Sequence, residues 1–109
     1  MAVVRSDWHS RPIGAERWTL EFERAYTGEE FERLQRGVLP EEMEDKWFVF
    51  YEEPWLYLHR SWTGICCFQV RFEESAGGAR IVEVLTTWSR DSASKLLGRL
   101  LDSWSGRAR

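Results

Sequence analysis

The alternation of apolar and polar residues between positions 46 and 88 restricts the folds open to this chain more than any other feature. Four segments in this region have the period-two pattern of a strand, and short turns rich in Gly and Pro separate them. Such turns join antiparallel neighbours, so the pattern predicts a four-stranded meander. The four segments are 46–52, 55–60, 65–73 and 80–88, and a further alternating segment at 17–23 is the candidate for a fifth strand.

The same alternation predicts which side chains share a face of the sheet, because successive residues of a strand point to opposite faces. Segment 46–52 is apolar on both faces, which is typical of a strand covered on both sides. The residues predicted to share a face within each of the other segments are Trp55, Tyr57 and His59, then Cys66, Phe68, Val70 and Phe72, then Val82, Val84 and Trp88.

Two helices are predicted beside these strands. The first is short and begins with a capping box, in which the side chains of Thr27 and Glu30 each accept a backbone N–H, and Gly37 suits its end. The second follows Asp91 or Ser92 and carries one apolar stripe, made by Leu96, Leu97, Leu100, Leu101 and Trp104. This stripe is expected to cover one face of the sheet, because a meander with an uncovered apolar face is not stable in water. The position of the first helix is left open.

These elements predict an α+β fold: a four- to five-stranded antiparallel sheet (meander) with a C-terminal helix packed on one face and a short N-terminal helix. Residues 1–109 are expected to form a single domain, in which residues 1–12 are loosely ordered. No apolar run approaches the roughly 18 residues that a membrane span needs. Residues 1–10 also lack the apolar centre of a secretory signal, so the chain is expected to be soluble and cytoplasmic.

The two cysteines, Cys66 and Cys67, are adjacent in the chain. A disulfide between neighbours is strained, and a reducing cytoplasm favours free thiols, so both are predicted to be reduced. No spacing of Cys and His residues matches a zinc site, and the sequence predicts no cofactor.

The charge of the chain limits its partners. A net charge of −3 argues against a general affinity for nucleic acid. Residues 29–53 hold nine carboxylates and three basic side chains, which gives this segment a net charge of −6. The segment is either a solvated surface or a face that a basic protein partner recognises. No membrane partner is expected, and unpaired sheet edges leave homodimerisation open.

The most chemically diverse cluster lies where the predicted strand 55–60 ends. Exposed aromatic rings can stack on a planar ligand, and a guanidinium fork can bind a phosphate or a carboxylate. A tight turn at Pro54 would bring positions 46 and 47 beside this cluster. The predicted ligand-binding residues are Lys46, Trp47, His59, Arg60, Trp62 and Thr63.

A purely structural role is the alternative for the same cluster. In that interpretation Trp55 and Tyr57 belong to a second small core under the first helix, His59 bonds to the backbone, and Arg60 pairs with a carboxylate.

Signals for catalysis are weak, and no catalytic residue is predicted. Ser61 lies close to His59, but no G-x-S-x-G elbow and no third residue to orient the histidine can be identified. The carboxylates at 41–45 lack the spacing and the glycine of a calcium loop. Gly77-Gly78 is a hairpin turn with no helix after it, so it does not match a phosphate-binding loop.

Segments 43–51 and 59–64 resemble a little-characterised family of small bacterial proteins whose shared core reads EDKWF followed by LYxHRSWTG. In this chain the core corresponds to residues 44–48 and 56–64, and the resemblance extends over roughly residues 38–73. Related segments sometimes accompany ADP-ribosylglycohydrolase-type domains. The resemblance implies a nucleotide-sugar ligand, or a partner in the same pathway, and carries no established activity.

The sequence therefore favours a small soluble non-enzymatic binding module for a nucleotide-like or ADP-ribose-like ligand. One alternative is a protein–protein partner, such as an inhibitor, an immunity-type protein or an accessory protein, that uses the acidic surface. Another is an enzyme with His59 as general base.

Overall fold

A computed structural model describes residues 2–42 and 44–107 of the chain; Met43, with which the first of the two resembling segments begins, lies outside them. The fold belongs to the α+β class, as predicted. Its elements are, in chain order, a 3-10 turn (Arg5–Asp7), strand β1 (Trp18–Thr19), strand β2 (Ala25–Thr27), helix α1 (Gly28–Arg36), strands β3 (Trp47–Glu52), β4 (Trp55–Arg60), β5 (Cys66–Ser75) and β6 (Gly78–Thr86), and helix α2 (Ala93–Ser105).

The strands form one antiparallel sheet, whose centre is the predicted meander β3–β4–β5–β6. Both short strands pair with the outer edge of β6: β1 near its end and β2 at its beginning. Segment 17–23 was expected to be one continuous strand, and this prediction is wrong. The chain leaves the sheet after Leu20, whose N–H donates to the Val84 carbonyl, and returns at Arg24, whose carbonyl accepts from Ile81.

Two β-bulges correct the predicted faces of the sheet. Cys66 is paired with His59, whereas Phe68 is paired with Leu58, so Cys67 is an extra residue and Cys66 faces away from Phe68. The prediction that Cys66 and Phe68 share a face is therefore wrong, because a bulge interrupts the alternation of side chains.

The second bulge lies in β6. Phe72 is paired with Ile81 and Arg71 with Glu83, which leaves Val82 as the extra residue. Ile81 and Val84 consequently both belong to the main core, although strict alternation predicts that they point to opposite faces.

Helix α1 begins and ends as the sequence predicts. The Glu30 N–H donates to Thr27 Oγ1 over 3.1 Å, and the Thr27 N–H donates to Glu30 Oε1 over 2.9 Å, which completes the capping box. Gly37 ends the helix with a positive φ of 78°. Phe31 and Leu34 are buried in the main core, which places α1 on the same face of the sheet as α2.

Helix α2 covers one face of the sheet, as its apolar stripe predicts. Leu97 and Leu101 are completely buried, and the other stripe residues pack against the same core. The helix ends at Gly106, which has the left-handed conformation typical of this position. Neither helix of the described residues has the length and apolar character that crossing a membrane requires.

The opposite face carries a second, smaller core, and the N-terminal segment covers it. We call residues 2–11 the N-terminal strap. The Arg5 guanidinium lies 4.8 Å from the centre of the Phe50 ring and 5.2 Å from that of Tyr57, and it forms an ion pair of 2.6 Å with Glu52. The alternative interpretation expected such a core under the first helix, and this is wrong because α1 lies on the other face.

Backbone hydrogen bonds attach the strap to the sheet. The Arg11 N–H donates to the Gly64 carbonyl over 2.6 Å, and the Arg11 carbonyl accepts from Cys66 over 3.1 Å. Farther towards the N-terminus, the Val3 N–H donates to the backbone carbonyl of Arg36 at the end of α1. The strap thus connects the end of α1 with the turn that follows β4.

Candidate functional site

The hairpin β3–β4 brings the two parts of the predicted site together. Its turn, Glu53-Pro54, is only two residues long, so Trp47 lies directly opposite Arg60. The Ser61 N–H also donates to the Lys46 carbonyl over 2.9 Å. Lys46 therefore lies beside residues 61–64, which we call the binding turn.

Four of the six predicted residues line one cavity. The cavity has a volume of about 390 Å³, within the range typical of small-molecule sites. Among the described residues, no carboxylate lines the cavity, and Trp62, which is 68% exposed, forms one wall. The lining residues are Lys46, Arg60, Trp62 and Thr63.

Arg60 is held by aromatic rings instead of an acidic partner. Its guanidinium carbon lies 5.0 Å from the centre of the Trp47 ring and 5.8 Å from that of Trp88. None of the ion pairs within residues 2–42 and 44–107 involves Arg60, in contrast to the carboxylate pairing that the structural interpretation expects. The guanidinium thus makes cation–π contacts with two rings, which do not neutralise its charge as a carboxylate would.

Trp47 does not line the cavity but supports it from behind. The residue is 9% exposed, and the centre of its ring lies 5.9 Å from that of Trp88 and 6.5 Å from that of Trp104. The contribution of Trp88 and Trp104 could not be recognised from the sequence, because both come from the far end of the chain and reach Trp47 only in the folded structure.

His59 lies on the other face of the sheet, in the small core under the strap. It is 1% exposed, and its ring is stacked on Phe50 with centres 5.3 Å apart. Its Nδ1 must donate to the Gly64 carbonyl, 2.9 Å away, while the buried Nε2 has no partner among the described residues. Burial lowers the pKa of His59 and nearby Arg5 lowers it further, although the Gly64 bond opposes both. The structure therefore does not bring this imidazole to the cavity.

The arrangement around Ser61 does not support a nucleophile. Its hydroxyl donates to the Asp45 carbonyl over 2.7 Å, not to an imidazole nitrogen. Its own carbonyl accepts two hydrogen bonds from the strap: one from Trp8 Nε1 over 2.7 Å and one from His9 Nε2 over 2.6 Å. These strap residues escaped the sequence analysis because no local pattern connects positions 8 and 9 with position 61.

The other candidates for chemistry have structural roles. Cys66 and Cys67 are free thiols, as predicted, and burial raises the pKa of Cys66 to about 12, so this thiol is unreactive at neutral pH. The Asp45 carboxylate accepts the N–H groups of Glu41 and Glu42, which fixes the acidic loop. Within the described ranges, no group of three or more His, Cys, Asp or Glu side chains is arranged to hold a metal ion.

A larger groove of about 960 Å³ lies where residues 19–25 face residues 80–83. Three of its charged side chains already have partners: Arg24 pairs with Asp102, Arg80 with Glu73, and Glu83 with Arg71. The other two charged side chains of the groove, Glu21 and Glu23, are carboxylates, whereas both charged groups of the smaller cavity are cationic.

Comparison with known proteins gives no match: neither a protein-family model, nor a curated protein, nor a solved structure matches this chain. What the protein does must therefore be argued from the site itself.

Proposed function

We propose that this protein is a small non-enzymatic binding module whose cavity takes a nucleotide-like ligand, in which a planar ring is joined to an anionic group. One observation carries the proposal. An exposed indole, a guanidinium without an acidic partner among the described residues, an ammonium group and a hydroxyl surround a single cavity.

Each lining residue has a distinct task in this proposal. The ring of Trp62 stacks on the planar part of the ligand, a contact that tolerates different bases because every base has a π face. The guanidinium of Arg60 binds a phosphate through two parallel N–H groups, and Lys46 adds a second positive charge. The hydroxyl of Thr63, which accepts the Ile65 N–H over 3.1 Å, can still donate to a ligand oxygen.

ADP-ribose is the ligand that we propose to test first. It contains a planar ring, a diphosphate and two sugars, so it presents both features that the cavity is suited to bind. The resemblance of residues 44–48 and 56–64 to a family sometimes found beside ADP-ribosylglycohydrolase-type domains supports the same choice.

The test is a titration with ADP-ribose and with ADP, followed by tryptophan fluorescence and by calorimetry. Stacking on Trp62 should quench its fluorescence, and both methods should give the same saturation curve. If neither ligand produces a response at millimolar concentration, the proposed small-molecule function is wrong.

Variants of the cavity test which residues bind. Arg60→Gln should weaken binding about tenfold or more, because a charge-assisted hydrogen bond is worth about 1.5–3 kcal/mol. Lys46→Gln should weaken it as well, whereas the matched control Lys95→Gln, an exposed position on α2, should not. For the stacking ring, the affinity of Trp62→Ala for the ligand is compared with that of Trp55→Ala, whose side chain lies at the opposite end of β4.

A protein partner remains the second candidate, and the acidic loop favours it. The carboxylates of Glu41, Glu42 and Glu44 are exposed and form no ion pair among the described residues. A basic probe such as a poly-arginine peptide should bind this loop, and its affinity should fall steeply as the salt concentration rises. Binding that is unchanged by Glu41→Gln/Glu42→Gln would remove the loop as the recognised surface.

A further inference from the structure

The N-terminal strap contacts Ser61, which directly precedes two of the cavity-lining residues, Trp62 and Thr63. Ser61 is 2% exposed, so its backbone groups are shielded from water. On the strap side, Trp8 and His9 donate to its carbonyl over 2.7 and 2.6 Å. On the cavity side, its N–H donates to the backbone carbonyl of Lys46, and its hydroxyl donates to the backbone carbonyl of Asp45.

The strap also holds the other end of the binding turn. The Arg11 N–H donates to the Gly64 carbonyl over 2.6 Å, so both ends of the turn are attached to the strap. Between these two points lie Trp62 and Thr63, which line the cavity. A buried carbonyl that loses its donors is costly, so the docked strap favours the observed position of Ser61.

We propose that the strap is a positioning element for the cavity, in which Trp8 and His9 fix the binding turn so that Trp62 and Thr63 face Lys46 and Arg60. The ligand part of this inference rests on the function proposed above, whereas the positioning part does not. Docking of the strap and binding of a ligand are then coupled, and the coupling is reciprocal: a docked strap strengthens ligand binding, and a bound ligand strengthens docking.

The first experiment needs no ligand. Amide hydrogen exchange is measured in the full chain for the wild type and for Trp8→Phe/His9→Ala, which removes both donors to the Ser61 carbonyl. Exchange at Ser61 and Gly64 should accelerate about thirtyfold, since two hydrogen bonds are lost and about 1 kcal/mol for each corresponds to about fivefold. Exchange at Leu101 in α2 should be unchanged, which distinguishes local release of the turn from general loss of stability.

The matched control is Ser6→Ala, an exposed strap position outside the Ser61 contacts. It should exchange like the wild type at Ser61 and Gly64. If the double variant does not fold, Trp8→Phe and His9→Ala are measured separately, and each should give a smaller acceleration. Unchanged exchange at Ser61 and Gly64 in the folded variants would overturn the inference.

The second experiment measures the coupling with ADP-ribose as the probe. The double variant should bind it about tenfold more weakly than the wild type, and saturating ADP-ribose should slow exchange of the Arg11 amide in the wild type. Wild-type binding without either effect would refute the coupling and leave the binding function standing. Absence of binding would refute the function, while the ligand-free exchange data would still decide the positioning role.

Discussion

Arg60 is a charged side chain that contacts aromatic rings and forms no ion pair with the other described residues. Its guanidinium carbon lies over the rings of Trp47 and Trp88, 5.0 and 5.8 Å from their centres. Cation–π contacts of this kind leave the charge unneutralised, unlike a carboxylate, which would occupy the same N–H groups that a ligand needs. In the proposed function, this uncompensated charge is what binds the anionic group of the ligand.

His59 leads to a prediction about pH at the scale of one residue. Because burial lowers its pKa below the ordinary value of 6.5, the unfolded chain takes up a proton at this site before the folded chain does. The free energy of unfolding should therefore fall as the pH drops from 7 to 5, with a slope of up to about 1.4 kcal/mol per pH unit. Urea denaturation at a series of pH values measures this slope.

Two variants separate His59 from other titrating groups. In His59→Phe the aromatic packing is kept and the titration is removed, so the slope between pH 7 and 5 should become shallower. Ser6→Ala, at an exposed strap position that does not titrate, leaves His59 in place and should keep the slope of the wild type. An unchanged slope in His59→Phe would show that the buried imidazole is not responsible.

At the scale of elements, the hairpin β5–β6 contains a glycine that no other residue can replace without cost. Gly78 has a φ of 152°, and a Cβ atom added there would lie 2.0 Å from the Tyr26 carbonyl oxygen in β2. Gly78→Ala should therefore disrupt the pairing of β2 with β6 and lower the free energy of unfolding by about 3 kcal/mol.

The neighbouring glycine provides the control for this prediction. A Cβ atom at Gly77 would meet nothing within 4 Å, and its φ lies outside the left-handed region. Gly77→Ala should change the free energy of unfolding by less than about 0.5 kcal/mol. Equal losses of stability in the two variants, measured by urea denaturation, would contradict the close contact with Tyr26.

The elements also show what the sequence could and could not predict. Two features depend only on neighbouring residues and were therefore predictable: the capping box of Thr27 and Glu30, and the two-residue turn at Pro54. This turn also predicted that Trp47 lies near Arg60. The bulges at Cys67 and Val82 each change the face of the residues beyond them. A single extra residue changes an alternating pattern too little for a β-bulge to be located from the sequence.

For the whole molecule, the sheet is covered on both faces by different kinds of structure. Two helices cover one face, and a strap with only one 3-10 turn covers part of the other. The sequence predicted α2 from its own apolar stripe. It did not place α1 or the strap, because their positions depend on contacts between distant residues, such as Arg5 with Phe50 and Phe31 with Phe72.

The contribution of α2 to the whole molecule can be measured at Leu101. Its side chain is completely buried against the sheet, so Leu101→Ala leaves a cavity and should lower the free energy of unfolding by about 3 kcal/mol. Leu39, which is 41% exposed, is the matched control, and Leu39→Ala should cost less than about 0.5 kcal/mol. Similar costs at the two positions would show that α2 is not packed as described.

The pairing of both β1 and β2 with β6 has a consequence for biosynthesis. Within the described part of the chain, residues 18–27 have no strand partner other than β6, which is the last strand to be translated. Until the ribosome has synthesised β6, these residues have no strand with which to form backbone hydrogen bonds. Residues 18–27 therefore complete their fold only after β6 has emerged from the exit tunnel, and contacts so distant in sequence slow folding.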